Sequence, residues 1–234
     1  MESILLPSKI RFADGERAHE GILTVEPCTQ GYGTTIGNAL RRVLLSSLPG
    51  AAVTSVKIKG VDHEFSTIPH VKEDVLEIIL NLKTLRMKLH SEEPVRLSLI
   101  AKGERVVTAA DFSKNADVEI VNPEMTLATL TDKAATLEME ITIAPGRGYR
   151  STEERIKEKL ELGNIAIDAL YSPVLNVSYK VEATRVGEKT DYDKLILDIQ
   201  TDGSITPKEA CETAVNILLD HFNLLKDIEY ETSA

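Results

Sequence analysis

Residues 31–50, GYGTTIGNALRRVLLSSLPG, constrain this chain more than any other stretch, because they read as one helix with two different surfaces. Ile36, Leu40, Val43, Leu44 and Leu48 recur at offsets 0, 4, 7, 8 and 12, the spacing of an apolar stripe on a helix. Asn38, Arg41, Arg42 and Leu45 fall at offsets 0, 3, 4 and 7 and share a separate face that carries two adjacent guanidinium groups. Thr34 or Thr35 can cap the start, and Pro49-Gly50 stops the far end. A helix that is apolar on one side and cationic on another is expected to touch more than its own core. Assembly is the first functional expectation.

Around this helix the opening third reads as strands. Residues 22–25 form one, and residues 53–58 alternate, with Val56 and Ile58 inward against Ser55, Lys57 and Lys59 outward. Val71, Val75, Ile78, Ile79 and Leu82 then repeat at helical spacing on a second helix. From Arg86 to Ile143 the period becomes two, with candidate strands at 86–90, 95–100, 118–121, 126–130 and 137–143, and turns such as Lys102-Gly103-Glu104 and Asn122-Pro123 between them. Such a run predicts a compact, mostly antiparallel β unit, which Pro145-Gly146-Arg147-Gly148 closes in a loop. Residues 151–162 are densely charged, with Glu153 and Lys157 at i,i+4 spacing, and read as a solvated helical segment.

Two more strands, 177–183 and 194–201, precede the best-marked helix. Thr206 is its N-cap, Pro207 its first residue, and Glu209 completes a Thr-x-x-Glu capping box. Ala210, Ala214, Ile217, Leu218, His221 and Leu225 form one stripe along it, and Val215, Leu219 and Phe222 form a second beside the first. Burying a Leu, Ile or Phe side chain contributes roughly 1.5–3 kcal/mol, so leaving three or four of them wet would cost more than a typical domain can spare. One stripe is therefore expected on its own sheet and the other on a second chain. The competing reading is a helix buried between two layers of one domain. On either reading His221, which falls on the apolar stripe, is expected to be a satisfied core or interface residue.

Composition narrows the function classes. The net charge is −10, so the chain as a whole repels phosphate and lacks the Lys/Arg clusters of a nucleic-acid groove. Residues 1–60 are the exception, with seven Lys/Arg against five acids, an asymmetry that suits docking with protein partners. No stretch approaches the roughly 18 apolar residues of a membrane span, and the N-terminus lacks the order of a secretory signal. Cys28 and Cys211 lie far apart, as expected of two reduced, buried thiols in a cytoplasmic protein.

Several motifs suggest chemistry without completing it. Gly31-x-Gly33-x-x-x-Gly37 resembles a phosphate-cradling turn, but the dinucleotide fingerprint wants its third glycine one position earlier and an acid about 20 residues on, where Lys57 stands. Asp191-Tyr192-Asp193 has an Asp-x-Asp look without a second acidic motif to complete a metal site, and reads as a turn or contact loop. Asp62-His63-Glu64 likewise lacks a partner, and the five histidines show no metal-type pairing. A nucleotide-dependent enzyme using the 31–37 glycines and a self-contained dimeric binding module stay open beside the assembly reading. Catalytic residues, metal ligands and cofactors are not expected.

Seven ordered segments carry a family resemblance over essentially the whole chain: GYGTTIGNALRRVLLSSLPGAAVT (31–54), VDHEFSTI (61–68), VKEDVLEIILNLK (71–83), GRGY (146–149), YSPV (171–174), VEATRVG (181–187) and TDYDKL (190–195). They resemble the N-terminal assembly domain of bacterial RNA polymerase alpha subunits. The resemblance implies an α+β fold in which residues 1–49 and 174–234 make a dimerisation domain of sheet plus two helices, and residues 50–173 make an inserted strand-rich domain. It implies a homodimeric, non-catalytic subunit of a nucleotidyltransferase complex that nucleates assembly of the beta and beta-prime subunits, where the phosphoryl-transfer chemistry would reside. Asn38, Arg41, Arg42, Leu45, Arg185, Asp191, Asp193 and Lys194 would face the large subunits. Arg42 is the first choice among them, because guanidinium bonds bidentately to carboxylates. Tyr32, Val43, Leu44, Ile217, Leu218, Phe222 and Leu225 would make the alpha–alpha contact. Promoter DNA and regulators would be partners only through a separate C-terminal domain, which residues 1–234 do not contain.

Overall fold

In a computed structural model, residues 4–155 and 163–226 are described. They form two units: residues 49–172 make one, and the chain on either side of them, 1–48 and 173–234, makes the other. Each junction falls one residue earlier than the sequence reading placed it.

The chain opens in the discontinuous unit with β1 (Lys9–Asp14), β2 (Glu20–Cys28) and α1 (Tyr32–Ser46), and returns to it with β13 (Val174–Val186), β14 (Lys189–Thr201) and α3 (Pro207–Leu224). The sheet order is β1-β2-β14-β13, antiparallel throughout. Leu195, Leu197 and Ile199 of β14, Leu23 and Val25 of β2, Leu40 and Leu44 of α1, and Ala210 and Ala214 of α3 are buried in one cluster. The alternation along β14 supplies one apolar face, and the two helices cover it. Thr206 accepts from the Glu209 amide, Glu209 Oε2 accepts from the Thr206 amide, and Pro207 follows the cap, as the sequence predicts.

The inserted unit comprises β3 (Pro49–Ile58), α2 (Val75–Lys83), β4 (Met87–Leu89), β5 (Val95–Lys102), β6 (Arg105–Thr108), β7 (Val118–Ile120), β8 (Thr126–Leu130), β9 (Thr136–Arg147), β10 (Tyr149–Arg150), β11 (Ile165–Ala166) and β12 (Ala169–Leu170). Its main sheet runs β11-β3-β9-β5, with paired ribbons β4-β7, β6-β8 and β10-β12, all antiparallel. Leu137, Met139, Ile141 and Ile143 are buried along one face of β9. Residues 105–108 form a strand that the sequence reading did not assign.

The second helix starts at Val75, where Asp74 and Glu77 form a capping box; Val71 lies before it and bridges Leu130. Ser55 is buried, because β3 shifts register between Val53 and Ser55 and β11 pairs beside it. The 145–148 loop is instead the end of β9: Gly146 and Arg147 pair with Gly50 and Pro49, so Pro49-Gly50 begin a strand. A Cβ on Gly146 would lie 2.7 Å from the Tyr171 ring. In the charged segment, Arg155 is buried, and its guanidinium donates to the carbonyls of Thr54 and Ile167. Lys157, and with it the Glu153–Lys157 pair, lies outside the described residues. Among the described residues no helix is long and apolar enough to cross a membrane.

Candidate functional site

The site is built on α1, and its start shows how the chain holds that helix. Gly31 precedes it in a left-handed conformation, φ 88°, with no side-chain cap of its own. Thr34 and Thr35 lie inside the first turns rather than at the cap, and the Thr35 hydroxyl donates to the Gly31 carbonyl at 3.1 Å. The cap comes from β14. Asp193 Oδ2 accepts from the Gly31 amide at 2.8 Å and from the Gly33 amide at 3.1 Å. A carboxylate at a helix N-terminus meets the positive end of the macrodipole and bonds amides that have no intrahelical partner. That is where a phosphate would sit in a glycine-rich turn, and here the chain fills it with its own side chain.

Asp193 thus caps α1, and Asp191-Tyr192-Asp193 is corrected from a turn or contact loop to part of β14. The apolar alternation stops at Leu195, but backbone pairing with β13 carries the hairpin on to Val186 and Lys189.

The other glycines of the motif are packing residues. A Cβ on Gly37 would lie 2.8 Å from Leu195 Cδ1 and from Tyr179 Cδ2, and one on Gly33 would lie 3.0 Å from Asp193 Cβ. Gly37→Ala should therefore destabilise the chain by about 1–3 kcal/mol through overpacking. Urea denaturation reads this as a lower midpoint, and an unchanged midpoint would contradict the close approach of α1 to the sheet.

The two arginines differ. Arg41 Nε donates to the Val177 carbonyl of β13 at 3.2 Å, which ties it to its own sheet. Arg42 is exposed, and its guanidinium has no hydrogen bond or ion pair among the described residues. It lines an open groove of about 750 Å³ with Thr34, Thr35, Asn38, Val43 and Leu218. Asn38 and Arg42, assigned by resemblance to the large-subunit face, thus share a groove with Val43 and Leu218, assigned to the alpha–alpha contact. Leu45 is half-buried against the core.

The hairpin carries the remaining contact candidates. Arg185 Nε donates to the Gly187 carbonyl at 2.6 Å, and Asp191 is exposed. Lys194 projects from the opposite side of the sheet to Asp193 and lies 3.8 Å from Glu182. Lys180, followed by Lys194, holds the Glu182 carboxyl below its ordinary range. Lys194 therefore does not join the α1 groove.

Of the dimer candidates, Leu44 is corrected: it is 0% exposed in the core of its own unit and offers no surface. Val43, Ile217 and Leu218 are half-buried against that core, and Tyr32 is exposed. Phe222 is 57% exposed and Leu225 60%, and Val215 and Leu219 continue the same uncovered apolar stripe. His221 is also exposed, its Nδ1–H donating to the Ile217 carbonyl at 2.7 Å. The two-layer burial considered from the sequence does not occur among the described residues of α3.

Both cysteines are free and buried, and burial pushes each thiol pKa up, with added repulsion from Asp193 at Cys28 and Glu212 at Cys211. Neutral thiols packed in a core make poor nucleophiles. The sequence reading missed Thr34 and Thr35 as groove residues. Their signal was their position three or four residues before Asn38 on the same helical face.

Residues 56–172 match the family described as "RNA polymerase Rpb3/RpoA insert domain". The chain is 57% identical over 204 residues to the "DNA-directed RNA polymerase subunit alpha" of Alkaliphilus oremlandii, an alignment covering 87% of this chain and 64% of the relative. It is 56% identical over 204 residues to the same subunit of Moorella thermoacetica, covering 87% and 65%. Against the subunit of Alkaliphilus metalliredigens it is 53% identical over 213 residues, covering 91% and 67%. The chain therefore spans just under two thirds of the length of the first two of these relatives.

Proposed function

The chain belongs to the family of DNA-directed RNA polymerase alpha subunits, and from that premise we propose that it is a homodimeric scaffold which brings the beta and beta-prime subunits together. In this reading the chain has no active site. Phosphoryl transfer and its metal ions belong to the large subunits, and the work is done in the cytoplasm.

The observation that carries the reading is the exposed Arg42 guanidinium, unpartnered among the described residues, at a groove that Leu218 of α3 also lines. A planar guanidinium bonds carboxylates in a fixed bidentate geometry, and its position in a chain of net charge −10 makes it a local cationic mark. Asn38, in the same groove, adds an amide that both donates and accepts. The uncovered stripe Val215, Leu219, Phe222 on α3 supplies an apolar patch, which a two-fold axis would bury twice.

A dimer built on that stripe presents two copies of the α1 groove. Two large subunits can then be held at fixed separation, and the second docking becomes intramolecular, with an effective concentration set by the dimer's rigidity. The nucleotide-enzyme alternative is disfavoured by the Asp193 carboxylate at the helix start, which would repel a phosphate there.

Gel filtration of the purified chain mixed with a beta subunit tests the proposal. Elution in one peak is expected, and separate elution at micromolar concentrations would contradict it.

A further inference from the structure

The bond between the two ends of the discontinuous unit has a consequence for partner binding, which rests on the scaffold reading above. We propose that Asp193 is a positioning residue for the large-subunit site: through the amides of Gly31 and Gly33 it sets the start of α1, and so the groove in which Arg42 acts.

Four observations converge. First, α1 has no cap of its own and no acidic residue in its first turn, so Asp193 is its capping carboxylate. Second, Gly31, whose amide makes the 2.8 Å bond, itself lines the groove with Asn38 and Arg42. Third, Gly33 and Gly37 let the helix approach the sheet so closely that Asp193, Tyr179 and Leu195 lie within 3.1 Å of where a Cβ would stand. A shift of the helix start therefore cannot be absorbed locally, because interiors at this density transmit displacement. Fourth, Asp193 stands on β14 beside Cys28 of β2, in the body of the sheet, so the cap is fixed to a rigid element.

One carboxylate oxygen thus joins β14 to a turn 162 positions earlier. Asp193 need not touch the partner. Its contribution is to hold Arg42 and Asn38 in the orientation that docking requires, so less ordering remains at the moment of binding.

A double-mutant cycle separates this role from direct contact and from general destabilisation. Affinity for the beta subunit is measured by titration for the wild-type chain, Asp193→Ala, Arg42→Ala and the double variant, with Asp193→Asn as the conservative control. Asp193→Ala should weaken binding about tenfold, the scale of a lost helix cap expressed in affinity. Asp193→Asn, whose amide oxygen still accepts from both N–H groups, should stay within about twofold of wild type. In the Arg42→Ala background Asp193→Ala should have little further effect, because the two act through one contact.

Wild-type binding by Asp193→Ala, a full tenfold loss in Asp193→Asn, or additive losses in the double variant would each overturn the proposal. If Asp193→Ala does not fold, Asp193→Asn decides: binding within about twofold of wild type upholds the positioning role, and a tenfold loss overturns it. Unchanged binding by Arg42→Ala would instead overturn the scaffold site itself.

Discussion

Arg42→Ala is expected to weaken binding to the beta subunit about a hundredfold, enough to abolish co-purification at micromolar concentrations, because central arginines are among the residues that dominate protein interfaces. The chain itself should fold normally. Arg42 is exposed and makes no bond among the described residues, so its removal opens no cavity and strands no buried group. Arg41→Ala is the informative contrast: that side chain already bonds Val177, so its loss should act on the packing of α1 against β13. The measurement is affinity by titration alongside the thermal midpoint. A normal beta complex with Arg42→Ala would remove the role given to this groove.

Phe222→Glu is expected to convert a dimer to monomers. The ring is 57% exposed in the single chain, so a glutamate there is tolerated by the fold. In a symmetric pair each copy would lose roughly 2–3 kcal/mol of apolar burial and gain a carboxylate in an apolar contact, and the two-fold axis counts both. Light scattering should report half the wild-type mass with an unchanged circular dichroism spectrum. An unchanged mass would take the C-terminal half of α3 out of the interface. Leu44 shows why exposure must be read before interface residues are chosen. It shares the apolar stripe of α1, yet it is spent wholly on the unit's own core.

What the sequence revealed and what it hid follow from how local each cause is. The capping box of α3 lies within four residues, so Thr206, Pro207 and Glu209 could be read directly. Its second apolar stripe was equally visible, because a surplus over what one sheet contact can cover is a property of the helix alone. The start of α1 was misread because its cap arrives from β14, and no local pattern marks a carboxylate 160 or more residues away. The strand ends were misread for a related reason. Apolar alternation marks only the part of a strand over a core, whereas hairpin pairing continues β14 back through Asp191 to Lys189. Ser55 and Arg155 show a third limit, since each is polar and each is buried by what lies over it. β11 pairs beside Ser55, and the carbonyls of Thr54 and Ile167 take the Arg155 guanidinium. The Gly-rich turn changed meaning for the same reason. Its spacing resembled phosphate binding, and its cause is the closeness of α1 to Tyr179, Leu195 and Asp193.

The central claim is that two copies of this chain, paired through α3, offer the α1 groove to a large subunit. Absolute molar mass of the complex formed with a beta subunit tests it most directly. The account predicts a particle containing two 25.7 kDa chains together with the beta subunit. A particle containing a single copy of this chain would contradict it.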